Sequence, residues 1–215
     1  MTYLEVINSI LRRLREDTVV AVSETDYSEM VGDFVNDAKR IVEDSYQWEA
    51  LRTEYSVNTT AGTHTYTLTG LGNRAKIINV CDETSAYYLE HKPLSWVRSK
   101  DVKSPSQTGT PRYYAYNGLD SAGDTLLRFW TTPDASYDIS VYAVVPQPDL
   151  TLKSDVLKVP SSPIIHLALA MLARERGETG GTSTAEYFQM ADKYLRDAIA
   201  VEAARHEDEL VYFTV

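Results

Sequence analysis

Hydrophobic periodicity changes twice along this chain of 215 residues, from helical to strand-like and back, and that limits the fold more than any single motif. Near the start, Leu4, Ile7, Leu11 and Leu14 recur at spacings of three and four, which lines one face of a helix. Thr2 and Glu5 have the spacing of a capping box, in which each side chain satisfies an orphan amide of the other residue. A second helix is predicted from about Asp26, with Glu29 three residues on. Its expected apolar stripe is Tyr27, Met30, Phe34, Ala38, Ile41, Ser45 and Trp48. Gly32 interrupts it at a cost of about 1 kcal/mol relative to alanine.

From Thr53 the texture becomes alternating. Thr53, Tyr55 and Val57 alternate with polar neighbours, as do the residues from Thr63 to Leu68, and Ala61-Gly62 between them reads as a hairpin turn. Further strands are expected at Ala75 to Cys81, Ala86 to Leu89, Arg112 to Tyr116, Thr125 to Trp130 and Tyr137 to Val145. Nine of the 15 tyrosines fall between residues 53 and 147, where a pleated, half-buried surface suits them. Turns are marked by Gly70 with Gly72, Asn117-Gly118, Gly123-Asp124 and Pro133-Asp134. Lys92 to Lys103 reads equally as a short helix or a loop.

Pro146 and Pro148 close this block, and Val156 to Val159 is an extended return. A third helix is predicted from Ser161, with Pro163 in its first turn and Gly177 at its end. A fourth opens near Ser183 and Glu186, with Tyr187, Met190, Tyr194, Ala198 and Val201 as its apolar side. The fold class expected is therefore α+β: a four-helix bundle with an inserted antiparallel β domain and an extended C-terminal tail. Residues 1–52 and 153–205 are assigned to the helical domain, 53–152 to a β-sandwich or barrel-like domain, and 206–215 to the tail. In that tail, Leu210, Val211, Tyr212, Phe213, Thr214 and Val215 follow an acidic spacer and form a strongly β-prone apolar run. Such a run either packs on its own domain or adds to a partner's sheet or groove.

The net charge of −10, from 21 basic and 31 acidic residues, argues against binding nucleic acid by counterion release and against docking on an anionic membrane. Cys81 is the single cysteine, so neither an intrachain disulfide nor a Cys-rich zinc site is expected. No signal peptide and no apolar run near the ~20 residues of a membrane span is read in the sequence. His64, His91, His166 and His206 lie far apart without ligand spacing, and no nucleophile elbow or phosphate loop is present. No catalytic residue, metal ligand or cofactor is nominated. His166 is expected to be packed or at a pocket edge, and Cys81 to be a small buried hydrophobe.

Three stretches carry a family resemblance. They are Ala38 to Glu43 through Trp48 leading into strands, the hairpin from Thr60 to Leu68, and Gly109-Thr110-Pro111-Arg112-Tyr113-Tyr114. The last is followed by Leu127 to Trp130, Thr132 to Tyr137, and Val156 to Pro160 entering a helix. In order and spacing they resemble the head-to-tail adaptor (tail tubular or connector) proteins of tailed bacteriophages, especially short-tailed ones. Thr69 stands where the family commonly has proline after the Tyr-x-Leu of the hairpin. The resemblance implies a non-enzymatic virion protein, made in the host cytoplasm, that forms a dodecameric ring under the portal protein. It also implies docking of a tail nozzle or tail tube protein, DNA sliding through the channel without specific binding, and Leu210 to Val215 reaching into the portal. Alternatives are another neck or tail protein such as a stopper or completion factor, a glycan-binding module built on the tyrosine-rich strands, and a tail-attached cell-wall hydrolase.

Overall fold

The computed structural model describes residues 1–104, 107–177 and 182–205, and the chain is α+β. It divides into two compact units, Met1–Leu51 with the chain from Pro146 on, and Arg52–Val145.

In the first unit, α1 (Tyr3–Arg13) begins at Thr2, whose hydroxyl accepts from the Glu5 amide while the Glu5 carboxylate accepts from the Thr2 amide. Helix α2 (Asp26–Ser45) is capped one residue before the expected Asp26–Glu29 pairing. Thr25 and Ser28 cap it reciprocally, at 3.0 and 3.1 Å. Helix α4 (Ser161–Glu175) packs against α1, α2 and α5 (Thr182–Ala203), and α1 also packs against α2. The buried face of α2 is Val31, Val35, Ala38 and Val42; of the predicted stripe Ala38 and, beyond the helix, Trp48 are buried, Tyr27, Met30 and Phe34 are half-buried, and Ile41 and Ser45 are exposed. Large side chains were the wrong guide here. Small and β-branched residues let α2 approach α1 and α4 closely, and Gly32 faces the Tyr3 ring, leaving no room for a Cβ.

A polar ladder on the same helix binds the returning chain. Asn36 and Leu150 exchange two hydrogen bonds, Nδ2 to the Leu150 carbonyl at 3.1 Å and the Leu150 amide to Oδ1 at 2.9 Å. Lys39 Nζ, fully buried, donates to the carbonyls of Gln147 at 2.7 Å and Pro148 at 3.2 Å. It also pairs with the buried Glu43 carboxylate at 3.3 Å, which in turn accepts from the Gln147 amide at 3.2 Å. Arg40 holds Asp149 from the exposed side of this row. The spacing 36, 39, 40, 43 keeps all four on one side of α2. Prolines cannot enter a sheet ladder, so the carbonyls of this Pro-Gln-Pro return need side-chain donors, and Lys39 supplies them.

The second unit contains two four-stranded sheets. One has the order β1 (Arg52–Asn58), β8 (Asp138–Val144), β3 (Lys76–Asp82), β4 (Tyr87–Tyr88). The other runs β2 (Thr65–Leu68), β7 (Thr125–Trp130), β6 (Tyr113–Leu119), β5 (Glu90–His91). Inward residues of both, including Val57, Leu68, Val80, Tyr114, Leu127, Phe129, Ile139 and Val141, share one apolar cluster. Burial there pushes the Tyr114 phenol up to about 12.

Two expectations change. β1 and β2 are not a hairpin: β1 pairs with β8 and β2 with β7, so the turn at Gly62 (φ +80°) carries the chain from one sheet to the other. The unit is not wholly antiparallel, because β5 runs parallel to β6. The stretch left open, Leu94–Lys103, is a helix, α3, which lies in the second unit and adds a fifth α-helix to the four of the first among the described residues. Cys81 is only partly buried.

Replacing Lys39 by alanine leaves Glu43 and two carbonyls buried without their donor, and is expected to cost about 3–5 kcal/mol in urea unfolding. Lys39→Met combined with Glu43→Leu should recover a large part of that loss. A single Lys39→Ala loss below about 1 kcal/mol would show that the ladder does not hold the return.

Candidate interaction surfaces

No group of three or more His, Cys, Asp and Glu side chains is placed to hold a metal ion among the described residues. His166 sits beside a groove: its Nδ1–H donates to the Ser162 carbonyl at 2.7 Å and its ring stacks on Tyr194 at 4.1 Å. His91 packs on the rings of Tyr114 and Tyr116, and His64 lies next to Thr65 Oγ1 at 3.0 Å. Burial, with the nearby Arg128 guanidinium, lowers the His64 pKa. Burial and the neighbouring Glu83 carboxylate raise that of the Cys81 thiol. Packing and burial account for the environment of each of these groups. Leu210 to Val215 and His206 lie outside the described residues.

Exposed apolar residues are grouped along one face of α5. Its inward face is Ala191 together with Phe188, Leu195 and Ile199, and at its far end the nearly buried Glu202. Three residues of the predicted stripe face outward, Met190 at 44%, Tyr194 at 38% and Val201 at 60% exposed, while its Tyr187 and Ala198 are half-buried. A 22-residue helix carrying two apolar faces is suited to packing on both sides, once within the fold and once against something else.

Beside this face runs an open groove of about 660 Å³, lined among others by Trp48, Val159, Pro160, Pro163, Ala198 and Val201. Trp48 is fixed by its indole N–H, which donates to the Val42 carbonyl at 2.7 Å. Glu202 secures one end: its carboxylate accepts from the Glu49 amide at 2.8 Å and pairs with Arg205 at 3.1 Å. The groove is therefore built on fixed walls.

In the second unit, α3 docks on the β6–β7 face through Trp96. Its ring lies 4.9 Å from that of Tyr113 and 5.5 Å from that of Trp130. Lys92 and Lys100 stand 5.2–5.9 Å from these rings, within cation–π range. Arg128 and Asp101 tie the helix to β7 at 2.6 Å. This cluster explains how a helix without a clear apolar stripe is held, and its cations are engaged with its own aromatics. Periodicity could not have found it, because α3 is anchored by the half-buried Trp96, the buried Val97 and the Arg128–Asp101 pair rather than by a repeating face.

If the outer face of α5 is free in the single subunit, Met190→Glu and Val201→Glu should change stability by no more than about 0.5 kcal/mol. Ala191→Glu, on the inner face, should unfold the helical unit or cost several kcal/mol. Thermal melts compare the three. Equal losses for all would contradict the assignment of inner and outer faces.

No curated protein matches the chain. No helix of the described residues is long and apolar enough to cross a membrane. The family comparison is positive: residues 1–210 match the SU10 adaptor protein. That covers nearly the whole chain, and it agrees with the resemblance to phage head-to-tail adaptors carried by the strand block and its flanking helices. The chain belongs to the SU10 adaptor protein family.

Proposed function

We propose that the chain is the subunit of a ring beneath the phage portal protein, continuing the DNA channel and docking the next tail component. The observation that carries this reading is the family match over residues 1–210, which makes the protein a structural adaptor of the phage particle. On this reading the four long helices act as a bundle in the ring wall. The β domain, Arg52–Val145, meets the nozzle or tube protein.

Two features support it. The outward apolar stripe of α5 suits contact with other subunits or with the portal, since exposed apolar area of this extent is characteristic of interfaces. The net charge of −10 per copy, multiplied in a dodecamer, would keep DNA sliding rather than bound, within a screening length of about 8 Å.

The segment Leu210 to Val215 is the proposed portal contact, ordering as it binds. Removing residues 207–215 should then abolish co-sedimentation with portal rings while the melting temperature of the free chain stays close to that of the full chain. Undiminished co-sedimentation would assign portal contact to another surface.

A further inference from the structure

The outward side of α5 repeats with the spacing of a helix–helix seam. Tyr187, Met190, Tyr194, Asp197, Val201 and Ala204 follow one another at intervals of three and four, the a and d positions of a heptad. Ala204 keeps the helical register, since its amide donates to the Ala200 carbonyl at 3.1 Å. Tyr187 is half-buried and the other five are exposed. We propose that in the free protein α5 pairs with α5 of a second copy of this chain, antiparallel and across a two-fold axis midway between Tyr194 and Asp197.

Side-chain size selects both the occupant and its direction. The large residues of the seam, Tyr187, Met190 and Tyr194, fill its first half, and the smaller Asp197, Val201 and Ala204 its second. Antiparallel pairing sets Tyr194 level with Asp197 of the second copy, Met190 with its Val201 and Tyr187 with its Ala204. Each large residue then meets a smaller one, as close packing of two helices requires. A parallel pair would set tyrosine on tyrosine and Asp197 on Asp197. The Tyr194 ring is held ready by its stack on His166 at 4.1 Å.

Charge selects the same arrangement. Asp192 and Arg196 pair with each other at 2.6 Å, away from the seam. Glu202 is turned inward, accepting from the Glu49 amide and pairing with Arg205, and Glu49 and Lys158 stand across the groove from the helix. Lys193 borders the seam and Asp197 lies in it. The antiparallel register brings Lys193 of each copy beside Asp197 of the other, so both seam carboxylates meet an ammonium. Glu186 comes level with Arg205 of the second copy, again opposite in sign. A charged residue in the seam fixes register at a cost in affinity, and a seam of roughly 26 Å at about 1.5 Å per residue is short, so the pair depends on concentration. A two-fold contact closes at two copies and builds no cyclic ring, so the inference does not rest on the ring reading.

The test uses the full chain without portal. Sedimentation equilibrium should show monomer and dimer in a balance that shifts with concentration. Lys193→Asp and Asp197→Lys should each weaken the dimer about tenfold or more by setting like charges together, and the two combined in one chain should restore it. Melting temperatures at high dilution should stay close to that of the parent chain. In a Cys81→Ser background, chains carrying Met190→Cys should cross-link on mild oxidation to chains carrying Val201→Cys. Met190→Cys alone should not cross-link, because its two copies lie roughly 16 Å apart along the seam at about 1.5 Å per residue. A monomer at every concentration would overturn the proposal, as would a dimer indifferent to both charge reversals. Larger rings formed without a dimer, or Met190→Cys cross-linking to itself, would do the same.

Discussion

The helical unit depends on what α2 does to the chain that comes back to it. After the second unit, Arg52–Val145, the backbone returns as Pro146-Gln147-Pro148, a sequence that can neither continue a sheet nor satisfy its own carbonyls. The polar row Asn36, Lys39, Arg40 and Glu43 accepts it. Lys39 is the centre of that row, its charge balanced by Glu43 and its protons spent on backbone oxygens. A buried ion pair is a weak source of net stability, since desolvation offsets most of the attraction. Its contribution here is to position: apolar contacts would tolerate the return at several registers, whereas two carbonyls and an amide match this one.

With the return fixed, α4 begins at Ser161 against α1 and α2, and α5 packs on α4 as the last layer. That leaves α5 with one face inside and one outside. A lone soluble domain would place charges on the outer face. Here it carries Met190, Tyr194 and Val201 beside a firm-walled groove. For a member of an adaptor family, whose work is to hold other components, an interface built into the last helix is the physically economical arrangement.

Much of this was legible in the residues, and the failures have particular causes. β7 was read with both ends correct because its inward Thr125, Leu127 and Phe129 alternate with half-exposed neighbours, the plainest period a strand can show. The turn at Gly62 was legible as a turn but not as a crossing between sheets, since local alternation says nothing about which strand is the partner. The stripes of α2 and α5 were displaced by one position. On α2, Ile41 lies outside the core face while valine, alanine and a neutralised Lys–Glu pair fill the inside; on α5, Met190 and Tyr194 lie outside while Phe188, Ala191, Leu195 and Ile199 face in. No reading by residue size could find a core whose centre is a lysine. On α5 the error was informative, because the misplaced stripe is the surface now offered as an interface.

The central claim, that this adaptor acts as a ring on the portal, is most directly tested by mixing the purified chain with portal rings of the same phage and imaging by electron microscopy. A second ring seated on each portal, with its copy number countable in end views, is the predicted result. Bare portals beside free protein, at concentrations well above those in an infected cell, would contradict it and assign the chain to another junction of the tail.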